Sequence, residues 1–282
     1  MGAVLSPSAL GRSVLRLDLR GHGRSAGAHD ASAGPEQYTW SALAKDFRRA
    51  SAGSLSRAFF GGEAMGAAVA LHAAVDATRT GSRDAPPGLV LMRPPAALSE
   101  GVAGRALPED LLQRIQAAAE AAETGGFEVL EQLERAAGGS MLDGAAAVYC
   151  ADSQAPDVEA ALLECRRAMT PEAYAAALRG HAASRAPGEE LQSLGRAQET
   201  AMAGDAYGVP LTLTCPVLVL AVPGDADHPV EAAEALAERL PGAELKVAAT
   251  LQEAHESWAR HINAFLRKAW MKEFLTKRVM PQ

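Results

Sequence analysis

The run Val217-Leu218-Val219-Leu220-Ala221-Val222 carries no polar residue on either side of a two-residue repeat. A strand that is apolar on both faces must be covered on both, which is the signature of a buried, parallel sheet. Leu89-Val90-Leu91-Met92 repeats the pattern and is ended by Pro94-Pro95. Ala58-Phe59-Phe60 reads as a shorter buried strand, Val14-Leu15-Arg16-Leu17-Asp18 as an alternating strand running into Gly21-His22-Gly23, and residues 244–248 as the last strand. Helical spacing fills the gaps: residues 39–49 through Trp40, Leu43, Ala44 and Phe47, residues 65–75, and residues 230–240, stopped by Pro241-Gly242. A C-terminal helix places Trp258, Ile262, Phe265 and Ala269 on one face, with Arg267, Lys268 and Lys272 expected near the negative end of its dipole. Strands alternating with helices predict an α/β fold with a mostly parallel sheet flanked by helices.

The texture changes in the middle of the chain. Residues 99–207 read as alanine-rich helices with no strand pattern, opened by Pro108-Glu109-Asp110 and Thr170-Pro171-Glu172. The expected organisation is therefore a first part of the core over 1–98, a helical cap over 99–207 and a second part of the core over 208–282. A chain of 282 residues with 48% hydrophobic content can bury a core of that size. A net charge of −7 without any basic block gives no footprint for nucleic acid. Apolar stretches are broken well short of a membrane span. Arg12, Arg16 and Asp18 interrupt any secretory core. Met1 to Ser6 fits the myristoylation pattern, but six loosely defined positions match by chance often, and the reading is an ordinary N-terminus. Cys150, Cys165 and Cys215 lack C-x-x-C spacing, which points away from disulfides and zinc and toward a reducing, cytoplasmic setting.

The chemistry is concentrated in Phe60-Gly61-Gly62-Glu63-Ala64-Met65-Gly66, a strand-to-helix junction with the spacing of the G-x-S-x-G nucleophile elbow. It is preceded by Asp18-Leu19-Arg20-Gly21-His22-Gly23-Arg24-Ser25 and followed by residues 217–229 and His255. In this order and spacing the three segments resemble the α/β-hydrolase family over most of the chain. The resemblance implies an α/β-hydrolase fold and a serine hydrolase ancestry acting on esters or carbon–carbon bonds. It puts Ala64 at the nucleophile position, flanked by the elbow glycines Gly62 and Gly66, which leave room for the backbone of a strained turn. A methyl group cannot attack a carbonyl. An ordinary glycine turn, or a shifted elbow using Glu63, are the competing readings.

Carried over position by position, the family's acid falls on Asp227 rather than on Asp225, its base on His255 rather than on His261, and one oxyanion donor on the Met65 N–H. Histidine suits the role because its neutral ring takes a proton near pH 7 while a carboxylate orients it. Either aspartate could equally be a solvated turn residue, and Ala254 stands where relatives commonly have glycine. The resemblance begins only at the strand before Asp18, so the three earlier strands of the family, and the histidine-glycine loop that completes its oxyanion hole, are expected to be missing. The absence of a central strand implies either rearranged pairing or unpaired edges in the core.

Three functions follow: a silent member that binds an apolar or ester-like small molecule between sheet and cap; an enzyme using Asp227 and His255 without a covalent step; or an active esterase altered at one position or lacking its first strands. Arg93, at the end of a strand, is expected either to meet an anionic ligand or to pair with an acid. No metal ligands cluster near His255 and no G-x-G-x-x-G is present, so neither a metal nor a nucleotide cofactor is implied.

Overall fold

A computed structural model describes residues 13–22, 25, 34–51, 58–80, 85–96, 98, 109–137, 169–184, 213, 215–225, 227–240 and 242–279. Its sheet has four strands in sequential order, β1 (Phe60–Glu63), β2 (Leu89–Met92), β3 (Val217–Ala221) and β4 (Glu244–Val247). All three pairings are parallel, in the registers Phe60↔Leu89, Leu89↔Val217 and Leu218↔Glu244. The helices are α1 (Trp40–Ser51), α2 (Met65–Arg79), α3 (Glu109–Ala136), α4 (Pro171–Ala183), α5 (Val230–Arg239) and α6 (Leu251–Val279), with a 3₁₀ turn at Pro35–Tyr38.

The uninterrupted apolar runs are explained by cover on both faces. Leu89, Leu91, Val217 and Val219 pack with α1, α2 and α5 through Leu43, Leu71 and Leu236. Their neighbours Val90, Met92, Leu218 and Leu220 point the other way, onto Trp258, Ile262 and Phe265 of α6. The period of two thus sends alternate side chains into two separate cores. Helix α2 lies close on the sheet because Ala67, Ala68, Ala70, Ala73 and Ala74, all fully or almost fully buried, leave little side chain between the two backbones.

Among the middle helices, Thr170 caps α4 by accepting the Ala173 N–H at 3.2 Å, with Pro171 at the first helical position. Helix α3 bends at Gly126, whose φ of 69° lies outside the helical range. Its first half contributes Leu111 and Ile115 to the main core, and its second half packs on α4 through Leu130 and Ala175. Helix α4 reaches the rest of the molecule at Gly180, where a Cβ would stand 2.5 Å from the Pro35 carbonyl oxygen. The remainder of the expected cap lies outside the described residues.

Two expectations are corrected. Residues 14–18 form no strand: Leu15 is 57% exposed and no ladder receives the segment. Alternation alone does not make a strand; a neighbouring strand must supply the ladder. The segment instead ends at Arg20, whose guanidinium donates to both Asp46 oxygens at 2.9 Å and to Gln37 at 2.6 Å. Helix α6 also continues to Val279, so Arg267 and Lys268 lie within it rather than at its end, and Lys268 pairs with Glu244 of β4.

Candidate functional site

The C-terminal ends of β1, β2 and β3 share one edge of the sheet, where open α/β folds bind their ligands. Ala64 sits there, between β1 and α2, with φ 50° and ψ −121°. An L-residue reaches this region only under strain, of order 1–3 kcal/mol. The turn is held by the Ala64 N–H donating to the Met92 carbonyl at 3.0 Å, while the Ala64 carbonyl accepts from Ala67 at 2.9 Å. Gly62 makes the turn possible, because a Cβ there would lie 2.1 Å from the Gly66 carbonyl oxygen. Gly66 is the residue approached; a Cβ of its own would meet nothing within 4 Å. Met65 is the first residue of α2, so its N–H is among the amides that the helix leaves without an internal acceptor.

The second strained residue, Arg93 with φ 45°, follows β2 directly alongside. Its side chain is 4% exposed and bridges two strand ends. The guanidinium donates from Nε (2.8 Å) and Nη2 (2.7 Å) to Glu63 Oε1, and from Nη1 (2.7 Å) to Asp225 Oδ2. Arg93 therefore pairs with two acids, the second of its two expected roles. Glu63 is engaged in that pair, and the strained turn residue is Ala64.

After β3 the chain turns through Gly224, Asp225, Asp227 and His228 before α5 begins. Asp225 Oδ1 accepts the backbone N–H groups of Asp227 (3.1 Å) and His228 (3.2 Å), which closes the turn and returns the imidazole to the same carboxylate, Nδ1 to Oδ2 at 2.9 Å. Burial alone would raise the Asp225 carboxyl. The His228 hydrogen bond and charge, the Arg93 charge and the Asp227 amide outweigh it and hold the group below the usual carboxylate range. Asp227 points elsewhere, accepting from Arg114 of α3 at 2.9 Å. His255 lies in the first turns of α6 and is exposed. The structure thus gathers Glu63, Ala64, Arg93, Asp225 and His228 into one chain of contacts, with Asp227 held against α3.

Facing this edge, His181 of α4 accepts the Trp40 indole N–H at 3.1 Å, and Ser184 Oγ accepts the Trp40 backbone N–H at 3.0 Å. Burial, assisted by the charge of His228, pushes the His181 ring down to about 4. Sequence reasoning missed His228 and Arg114. The first had a signal, since an Asp-x-x-His turn can close on itself through the aspartate; the second had none, because its partner is 113 residues away. Among the described residues no group of three or more potential metal ligands occurs, and no helix is long and apolar enough to cross a membrane.

No protein-family model and no curated protein matches the sequence. Solved structures do match. An enol-lactonase from Burkholderia xenovorans LB400 superposes with a TM-score of 0.60 at 20% identity, covering 95% of this chain and 86% of that one. A thermophilic esterase from Thermogutta terrifontis gives 0.58 at 23% identity, covering 89% and 78%. An epoxide hydrolase of the α/β-hydrolase superfamily, from metagenomes of hot environments, gives 0.54 at 15% identity, covering 89% and 79%. The chain has the α/β-hydrolase fold.

Proposed function

We propose that this is an α/β-hydrolase-fold protein descended from serine hydrolases of small ester-like molecules, in which Ala64 occupies the nucleophile position and serine-type acyl transfer is closed. The observation that carries the reading is the backbone at Ala64. A φ of 50° with a ψ of −121° at a strand-to-helix junction is an uncomfortable conformation for alanine. In a nucleophile elbow the same kind of strained turn lifts a side chain above the sheet edge. Gly62, packed against the Gly66 carbonyl, supports the same reading, as does the position of the Met65 amide. In this reading Asp227 and His255 keep the family's chain positions as remnants of acid and base. The helices over 99–207 act as a cap, with α3 and α4 forming the far wall of a small-molecule site. The setting is cytoplasmic, as the cysteine spacing suggests.

A fluorophosphonate probe, which captures activated serines, tests the proposal. The wild type should remain unlabelled and should release p-nitrophenol from p-nitrophenyl acetate without a burst. The Ala64→Ser variant should label, with the adduct mapped to position 64. Labelling of the wild type would show a working nucleophile elsewhere, and a folded Ala64→Ser variant that never labels would show that the turn is not an elbow.

A further inference from the structure

We propose that His228, oriented by Asp225, is a general base at the sheet edge that activates water for direct attack on a small ester, independently of the residue at position 64. The inference rests on the reading of this edge as the ligand site, and it assigns chemistry to a pair that the resemblance leaves without a role.

Asp225 is ionised across the neutral range, and an ionised carboxylate only accepts. The 2.9 Å contact must therefore be His228 Nδ1–H donating to Asp225 Oδ2. In the neutral ring this leaves the lone pair on Nε2, and among the described residues no hydrogen bond engages that atom. The carboxylate cannot swing away. Its side chain is 1% exposed, Oδ1 is fixed by two backbone amides, and Oδ2 is shared with Arg93. The His228 side chain is 14% exposed, so the ring is partly open to solvent while most of it remains packed. On the cap side the ring is within electrostatic range of His181, which spends its own Nδ1 lone pair on Trp40. Through Arg93 and Glu63, the pair is tied to the residue preceding Ala64. Asp225 and Arg93 are positioning residues; His228 is the catalytic one.

The step balances with water as co-reactant. Nε2 takes a proton from water as the oxygen bonds to the ester carbonyl carbon, and the carbonyl π pair moves onto its oxygen. The resulting alkoxide collapses, the bond from carbon to the leaving oxygen breaks, and the imidazolium returns its proton to that oxygen. One ester and one water give one acid and one alcohol, with His228 neutral again. No covalent enzyme intermediate forms.

The experiment uses the full chain with p-nitrophenyl acetate, comparing wild type, His228→Gln, Asp225→Asn and His261→Gln, each checked for a native melting transition. Wild type should hydrolyse the ester faster than free imidazole at the same concentration, without a burst and with a solvent deuterium isotope effect. His228→Gln should lose roughly a hundredfold or more of that rate, and His261→Gln less than about twofold. Independently of activity, ¹⁵N shifts of the imidazole should show His228 with its proton on Nδ1, and Asp225→Asn should shift it toward Nε2. A wild type no faster than imidazole, an unchanged rate in His228→Gln, or a proton on Nε2 in the wild type would each overturn the proposal. Should His228→Gln not fold, the tautomer and the Asp225→Asn rate decide. A burst or phosphonate labelling of the wild type would instead overturn the reading of Ala64, which separates the two failures.

Discussion

Two strand-to-helix junctions lie on the same edge of the sheet and differ in what they have kept. The turn between β1 and α2 holds a strained backbone around Ala64 but presents only a methyl group. The turn between β3 and α5 presents a carboxylate and an imidazole in hydrogen-bond contact, around the glycine-assisted bend at Gly224. One has geometry without reactive atoms; the other has reactive atoms held by ordinary side-chain hydrogen bonds. Side-chain chemistry depends on a single residue, whereas the conformation of the Ala64 turn is enforced by neighbours such as Gly62 and Met92.

Arg93 joins the two junctions through Glu63 and Asp225. Arg93→Met should destabilise the fold by about 3–5 kcal/mol, because it leaves the buried Asp225 carboxylate and the half-buried Glu63 carboxylate around a missing cation. Urea unfolding followed by circular dichroism measures this, and a loss below about 1 kcal/mol would mean that the two turns are held independently.

The first junction is sharpened by its two glycines. Gly62→Ala should cost about 1–3 kcal/mol, since its Cβ would collide with the Gly66 carbonyl, where backbone cannot easily yield. Gly66→Ala should be neutral or should stabilise by up to about 1 kcal/mol, since the new Cβ enters open space in the first turn of a helix. The two melting temperatures should therefore move in opposite senses or differ clearly.

The second junction is probed by pH through His181 of α4, whose ring feels the charge of His228. The folded His181 ring stays neutral down to about 4, against 6.5 for an unperturbed ring, so between these values the unfolded chain binds a proton that the folded chain does not. Stability contributed by neutral His181 is therefore complete above pH 6.5 and falls as the pH drops toward 4. The loss should be roughly 1–3 kcal/mol, and His181→Gln should flatten that part of the melting-temperature profile. An unaltered slope in the variant would place the titrating group elsewhere. A comparably small effect is expected at Ala64→Gly, which should stabilise by up to about 1 kcal/mol by relieving the positive φ. A destabilised variant would show that the alanine methyl contributes packing that outweighs the strain.

Three of the four described strands lie where the sequence places them, whereas β1 spans Phe60–Glu63 and not residues 58–60. Leu89–Met92 and Val217–Ala221 could be read as strands because apolarity on both faces has one stable solution, and 65–75 and 230–240 as helices because their spacing and stops are local. The sequence also located the turn at Ala64, since a glycine pair four positions apart is a local pattern. It could not decide the state of residues 14–18, because a strand is stabilised by a ladder that a distant segment must supply. Nor could it assign the aspartates. Asp225 and Asp227 are two residues apart in one turn, and which of them takes Arg93 and His228 and which takes Arg114 depends on two guanidiniums that approach from β2 and from α3. Charge pairing over such distances is set by where the folded backbone brings each cation, and only the tertiary structure holds that information.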